Sequence, residues 1–160
     1  MRRLRCILVA SFVLIVVIPM SYFAVRYSRR PTFLLPEQVV AEYRAEAALL
    51  VLAPGWEWPV SPLAPVPDGT SIMYEEGWGK NQADFYWFCS WASRTVDLQL
   101  PADARQQALE NVLSLQSKYF FTNGLSADSK AFYVRMLRNA ADGDMDELRG
   151  YYELNCRQDT

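Results

Sequence analysis

Apolar residues recur every three or four positions along most of the chain beyond residue 36, which is the spacing of amphipathic helices. The first such stretch predicts a helix over residues 37–53 that ends at Pro54 and Gly55. Its polar side carries charged residues, and its apolar side is formed by Val40, Tyr43, Ala47, Leu50 and Val51.

Four further helices are predicted, over residues 79–96, 101–123, 126–141 and 144–156. Gly79 or Asn81 caps the first of these, Ser126 caps the third, and Asp144 with Glu147 forms a capping box for the last. No segment shows the pattern of a parallel sheet, so the chain is predicted to be all-α, with a small domain of four to five helices over residues 37–160.

Prolines interrupt the helical pattern in residues 54–70. Five of them fall within positions 54–67, which excludes a regular helix there. Apolar residues, Trp56 and Trp58 among them, lie between the prolines. We therefore expect an irregular strap against the helices; a flexible linker and a proline-rich ligand for a partner's aromatic groove are the alternatives.

The N-terminal segment differs from the rest. Residues 6–25 contain no Asp, Glu, Lys or Arg and, as a helix, would span about 30 Å, the thickness of the hydrocarbon layer of a membrane. This pattern predicts a transmembrane signal anchor, with a basic head over residues 1–5 and a stalk over residues 26–36. A cleaved secretory signal and a buried helix are the alternatives, but small residues are missing at the −3 and −1 positions that a cleavage site requires.

Charge is divided unevenly along the chain. The first thirty residues hold six of the 16 basic residues and none of the 18 acidic ones, so residues 31–160 carry a net charge of −8. We call residues 31–160 the body of the protein. Its negative charge disfavours nucleic acid as a partner. Three arginines lie on each side of the apolar segment, so the arginine count alone does not orient it; the basic head favours residues 37–160 on the extracytoplasmic side.

Two of the three cysteines lie in the predicted helical domain. Cys89 and Cys156 both fall on the apolar side of their helices, so we expect them to face the core and to form a disulfide. Two unpaired buried thiols are the alternative.

The absence of histidine restricts the possible chemistry. It removes Ser-His and Cys-His nucleophiles and HExxH zinc sites. Acidic residues at 142, 144, 146 and 153 match part of an EF-hand calcium loop, but Glu147 stands where that loop needs glycine, so a helix start is the better interpretation. No catalytic residue, metal or cofactor is expected.

An aromatic and acidic cluster provides the candidate ligand site. Tyr74, Glu75, Glu76, Trp78 and Trp87 combine rings that stack on sugars with carboxylates that bond hydroxyl groups. A glycan or small-ligand groove is therefore one hypothesis, with Trp56 or Trp58 as further contributors, and the packing of these rings in the core is the alternative. A hydrolase that uses Glu75 or Glu76 as its acid needs a distant second carboxylate, such as Asp84.

These observations favour a non-enzymatic, single-pass membrane protein that displays a small extracytoplasmic helical domain. Its expected partners are the membrane and a protein of a cell-envelope assembly. A glycan-binding module is the second hypothesis, and a glycan hydrolase the third.

Overall fold

The computed structural model describes residues 32–64 and 72–157. The predicted head and apolar segment, residues 1–25, lie outside this part of the chain. Among the described residues, none of the helices has both the length and the hydrophobicity needed to cross a bilayer.

Helices dominate the described residues, which confirms the all-α prediction. They are α1 (Pro36–Ala47), α2 (Trp78–Val96), α3 (Ala102–Leu113), α4 (Ala127–Ala141) and α5 (Asp146–Asn155). A short antiparallel ribbon pairs β1 (Phe33–Leu34) with β2 (Tyr74–Glu75). The ribbon includes residues 33 and 34, which the sequence placed in the stalk.

Helix α2 lies at the centre of the body. Phe88, Cys89 and Ala92 in its middle are buried, as expected for a helix that is apolar over most of its circumference. Helices α1, α3 and α5 all pack against it, and α4 contacts α3 and α5. The core between them contains fully buried side chains from four helical segments, Phe88, Leu115, Met136, Leu137 and Leu148.

Helix α1 ends six residues earlier than predicted, at Ala47. Beyond it the chain bonds to α2: the Trp91 indole N–H donates to the Val51 carbonyl at 2.9 Å, and the Ala53 N–H donates to the Ser90 hydroxyl at 3.2 Å. The Val51 side chain lies outside the helix and is 77% exposed, so its predicted place on the apolar side of the helix is wrong.

The helix predicted over residues 101–123 is not continuous in the structure. Helix α3 gives way to a 3₁₀ turn at Ser114–Ser117, and a π turn follows at Phe120–Gly124. The cap predicted for α4 is confirmed, since the Ser126 hydroxyl accepts from the Ser129 N–H at 3.2 Å. The capping box predicted for α5 is not formed: Asp144 accepts from the Asp146 N–H, and Glu147 pairs with Arg135 at 2.7 Å.

Residues 54–64 follow an irregular path over α1 and α2. The Trp58 ring lies 5.8 Å from the Tyr43 ring and 5.6 Å from the Tyr86 ring. The Tyr86 hydroxyl donates to the Glu57 carbonyl at 2.8 Å. This part of the proline-rich segment therefore packs against the helices as a strap; residues 65–70 lie outside the described residues.

Candidate functional site

The start of α2 holds four of the five candidate ligand-binding residues. Tyr74 and Glu75 form β2, Glu76 lies in the turn that follows, and Trp78 is the first residue of α2. The Tyr74 and Trp78 rings lie 5.0 Å apart at an angle of 50°, and both are partly exposed. Glu75 and Glu76 are exposed. The structure thus brings the two rings together beside two solvated carboxylates.

The two glycines in this segment have structural roles. Gly77 precedes the helix with φ 86°, in the left-handed region that glycine adopts without strain. Gly79 lies against α1, where an added Cβ would stand 2.8 Å from the Glu42 Cβ and from the Tyr43 backbone nitrogen. The first glycine makes the turn, and the second allows α1 and α2 to approach closely.

Glu42 of α1 caps α2 across this contact. The Gly77 N–H donates to both carboxylate oxygens of Glu42, at 2.9 and 3.0 Å, and the Gly79 N–H donates to Oε2 at 3.2 Å. A carboxylate here also lies at the positive end of the helix dipole. The predicted caps, Gly79 and Asn81, are therefore wrong, and the helix terminus is occupied by an anion from the protein itself.

Sequence reasoning missed this role of Glu42. The available signal was indirect: the start of α2 lacks Ser, Thr, Asp or Asn at the capping position, so its amide groups need an acceptor from elsewhere. The glycine-rich, acidic appearance of the segment is explained by this helix start.

Trp87 does not join the candidate site. Its ring is 3% exposed and lies in the core, with the Lys118 ammonium 4.7 Å from the ring centre. Nine residues of helix separate it from Trp78, a rise of about 13 Å. Trp56 and Trp58 also lie elsewhere, packed on Tyr86. The groove hypothesis therefore keeps only Tyr74, Trp78 and the carboxylates beside them.

Asp84, the suggested second carboxylate, faces inward. Asp84 is fully buried. Its Oδ2 accepts a hydrogen bond from the Phe120 N–H at 2.8 Å and so caps the π turn, whereas its Oδ1 has no hydrogen-bond partner. Burial raises the pKa of this carboxyl, and Glu46 adds to the rise. Glu75 and Glu76 face solvent, so the arrangement does not provide the facing pair of carboxyls that glycoside hydrolysis requires.

The expected disulfide is present in the structure. Cys89 of α2 and Cys156, the residue after α5, have Cα atoms 5.2 Å apart and are bonded through their sulfurs. Both residues are buried. The bond attaches α5 to the central helix across a sequence separation of 67 residues.

The acidic segment around residue 144 is a helix start. Glu153 lies within α5, about two turns of helix beyond Asp146, whereas an EF-hand would need these residues in one loop around the ion. In residues 32–64 and 72–157, no group of three or more Cys, Asp or Glu side chains is arranged to hold a metal ion.

A polar cleft of about 560 Å³ lies between the end of α2, the first half of α3 and the start of α5. Arg105 and Arg149 line it together with Asp144, Asp146 and the apolar Leu98. Arg149 pairs with Asp146 at 3.2 Å, whereas the buried Arg105 Nε has no hydrogen-bond partner. Charges of both signs beside exposed apolar surface suit a peptide segment better than a small apolar ligand. Sequence reasoning did not identify this cleft, because its residues come from three separate stretches of chain.

Comparison of the chain with protein-family models, with curated proteins and with solved structures yields no match.

Proposed function

We propose that this chain is a single-pass membrane protein whose helical body lies on the extracytoplasmic side and acts as a non-enzymatic protein-interaction component of a cell-envelope assembly. The proposal takes residues 6–25 as the membrane anchor on the strength of their sequence. It takes the body as the displayed domain.

The observation that carries this proposal is the buried bridge between Cys89 and Cys156. Disulfides form and persist in oxidising compartments and are rare in the cytosol. A body whose last helix is attached by such a bond is suited to the outer side of a membrane, the side that the basic head also favours.

The cleft between α2, α3 and α5 supports a role in protein interaction. The cleft is lined by the side chains of Arg105 and Arg149, and the exposed Leu98 at its edge adds apolar area. Arginine and apolar side chains together are typical of protein-binding surfaces. We assign the partner protein to this cleft.

The orientation is tested by protease treatment of intact cells that carry a C-terminal epitope tag. We expect the tag to be lost without lysis and the body to migrate differently on gels with and without reductant. A tag that is protected until the cells are lysed would contradict the proposal. A cytoplasmic protein of known location, probed on the same blot, controls for leakage.

The interaction is tested by photocrosslinking from position 106 in intact membranes, next to Arg105 in the cleft. The matched control places the same crosslinker at Glu110, which is exposed on α3 outside the cleft. A discrete adduct from position 106 that is absent from position 110 supports the assignment. Equal labelling from both positions, or none, opposes it.

The glycan hypothesis retains one specific observation, the partly exposed Tyr74–Trp78 pair. If sugar rings stack there, cell-wall fragments should change the tryptophan fluorescence, and Tyr74→Ala should abolish the change. The buried Trp87 makes Trp87→Phe the matched control, which should leave the titration intact. An unchanged spectrum on titration of the native chain excludes this function.

A further inference from the structure

One face of the β1–β2 ribbon is largely apolar and is uncovered by the described residues. The register pairs Phe33 with Glu75 and Leu34 with Tyr74. If this antiparallel register is continued by one residue, Leu35, whose backbone is extended, stands opposite Met73. Side chains alternate between the two faces of a strand, so Phe33, Leu35 and Met73 share one face with Glu75. These three apolar side chains are 51%, 46% and 57% exposed.

The other face of the ribbon packs inward. Leu34 and Tyr74 are partly buried, and the Tyr74 ring contacts Trp78 at the start of α2. The ribbon therefore has a filled inner face and an outer face that carries three apolar side chains beside the exposed Glu75 carboxylate. Three large apolar side chains on so small an element form a patch of the kind that marks an interaction surface.

The length of the preceding chain limits where this patch can lie. Residue 25 ends the proposed membrane anchor, and Phe33 follows after eight residues, which reach at most about 29 Å when fully extended. Arg26, Arg29 and Arg30 lie within this connection and favour the phosphate layer. The connection is thus short enough for the ribbon to reach the bilayer surface and too short to carry it more than about 29 Å away.

From this juxtaposition we propose that Phe33, Leu35 and Met73 insert into the interfacial region of the phospholipid bilayer that holds the anchor, and so fix the body against the membrane. This inference rests on the proposed membrane anchor. Trp78 and Tyr74, behind the ribbon, then lie at the depth where amphipathic aromatic rings are favoured. Helix α2 is about 28 Å long, so Leu98, just beyond its end, lies far from the ribbon at its start.

Spin labelling of the full chain in phosphatidylcholine nanodiscs tests the proposal. With Cys6→Ser and the bridge intact, Met73→Cys provides one reactive thiol beside the ribbon. Leu98→Cys provides a matched site, 71% exposed, just beyond the other end of α2. We expect the ratio of oxygen to water-soluble nickel accessibility to be several-fold higher at position 73 than at position 98.

Two variants link this signal to the patch. Phe33→Glu with Leu35→Glu should lower the ratio at position 73 to the aqueous value of position 98. Val51→Glu, which changes an even more exposed apolar residue outside the ribbon, should leave it unchanged. Hydroxyl-radical footprinting of the unaltered chain gives a label-free measurement, in which Met73 should be protected in discs and Leu98 should be oxidised.

The possible outcomes distinguish a failure of lipid insertion from a failure of the proposed membrane anchor. If the chain is retained in discs through carbonate washing but position 73 is as aqueous as position 98, lipid insertion is wrong and the membrane anchor stands. If position 73 is shielded from both oxygen and nickel at every dilution, protein covers the patch, and lipid insertion is again wrong. If the chain washes out of the discs, the anchor and the inference both fail.

Discussion

Removal of the Glu42 carboxylate should destabilise the body by separating α1 from the start of α2. The carboxylate accepts from two backbone amides, Gly77 and Gly79, at 2.9–3.2 Å in a partly buried position. A hydrogen bond to a charged group contributes about 1.5–3 kcal/mol, and the charge at the helix terminus adds about 0.3–1 kcal/mol. Water reaches the site in part, so we take the lower values and expect Glu42→Ala to cost about 2–3 kcal/mol.

The size of the effect distinguishes the cap from an ordinary surface charge. Glu42→Gln keeps one acceptor oxygen and loses the charge, so we expect about half of the cost of the alanine variant. The matched control is Glu110→Ala on α3, where the side chain is exposed and the change should stay within about 0.5 kcal/mol.

The assay is chemical denaturation and, in parallel, thermal denaturation of the full chain in mild detergent, each monitored by tryptophan fluorescence. For a body of this size each kcal/mol corresponds to about 4 °C in Tm, so Glu42→Ala should lower the Tm by about 10 °C. If Glu42→Ala and Glu110→Ala unfold at the same denaturant concentration, the cap contributes nothing and the account of the glycine-rich segment is refuted.

Three further predictions follow from the packing and the buried groups. Gly79→Ala should destabilise the body by more than about 2 kcal/mol, because the added Cβ would meet the α1 backbone. Gly150→Ala on α5 has open space around the added Cβ and should stabilise by about 0.5–1 kcal/mol. Equal Tm values for the two variants would contradict this prediction. Replacing Cys89 and Cys156 by alanine should cost about 4 kcal/mol, since the bridge closes 67 residues, and a Tm within a few degrees of the parent would refute it. Asp84 holds its proton more tightly in the folded than in the unfolded chain, so the free energy of unfolding should fall as the pH rises from about 4 through the raised pKa of Asp84. Asp84→Asn should weaken this pH dependence, as measured by chemical denaturation at a series of pH values. If the pH dependence is unchanged in the variant, other groups cause it.

The sequence predicted what depends on periodicity. The helical class, the inward direction of Cys89 and Cys156 and the Ser126 cap all follow from residue spacing along a single helix. These features can be predicted locally, because the geometry of a helix alone decides which of its side chains share a face.

The features that the sequence did not reveal all depend on contacts between distant segments. Helix α1 ends at Ala47 because the chain beyond it bonds to Trp91 and Ser90, forty and thirty-seven residues from their partners. Asp84 is buried because the π turn supplies its amide donor. The candidate site was only partly predicted for the same reason: Tyr74 and Trp78 are close in sequence, whereas burial placed Trp87 in the core.

The pairing of β1 with β2 has a mechanical consequence. A pull on the chain from the side of residue 32 is borne first by a ribbon two residues long, whose few hydrogen bonds break one after another. The last helix, in contrast, is held to the middle of α2 by a covalent bond that no such force can open. Tension on the tether should therefore peel away β1 and then α1, while α2 through α5 remain folded as a unit.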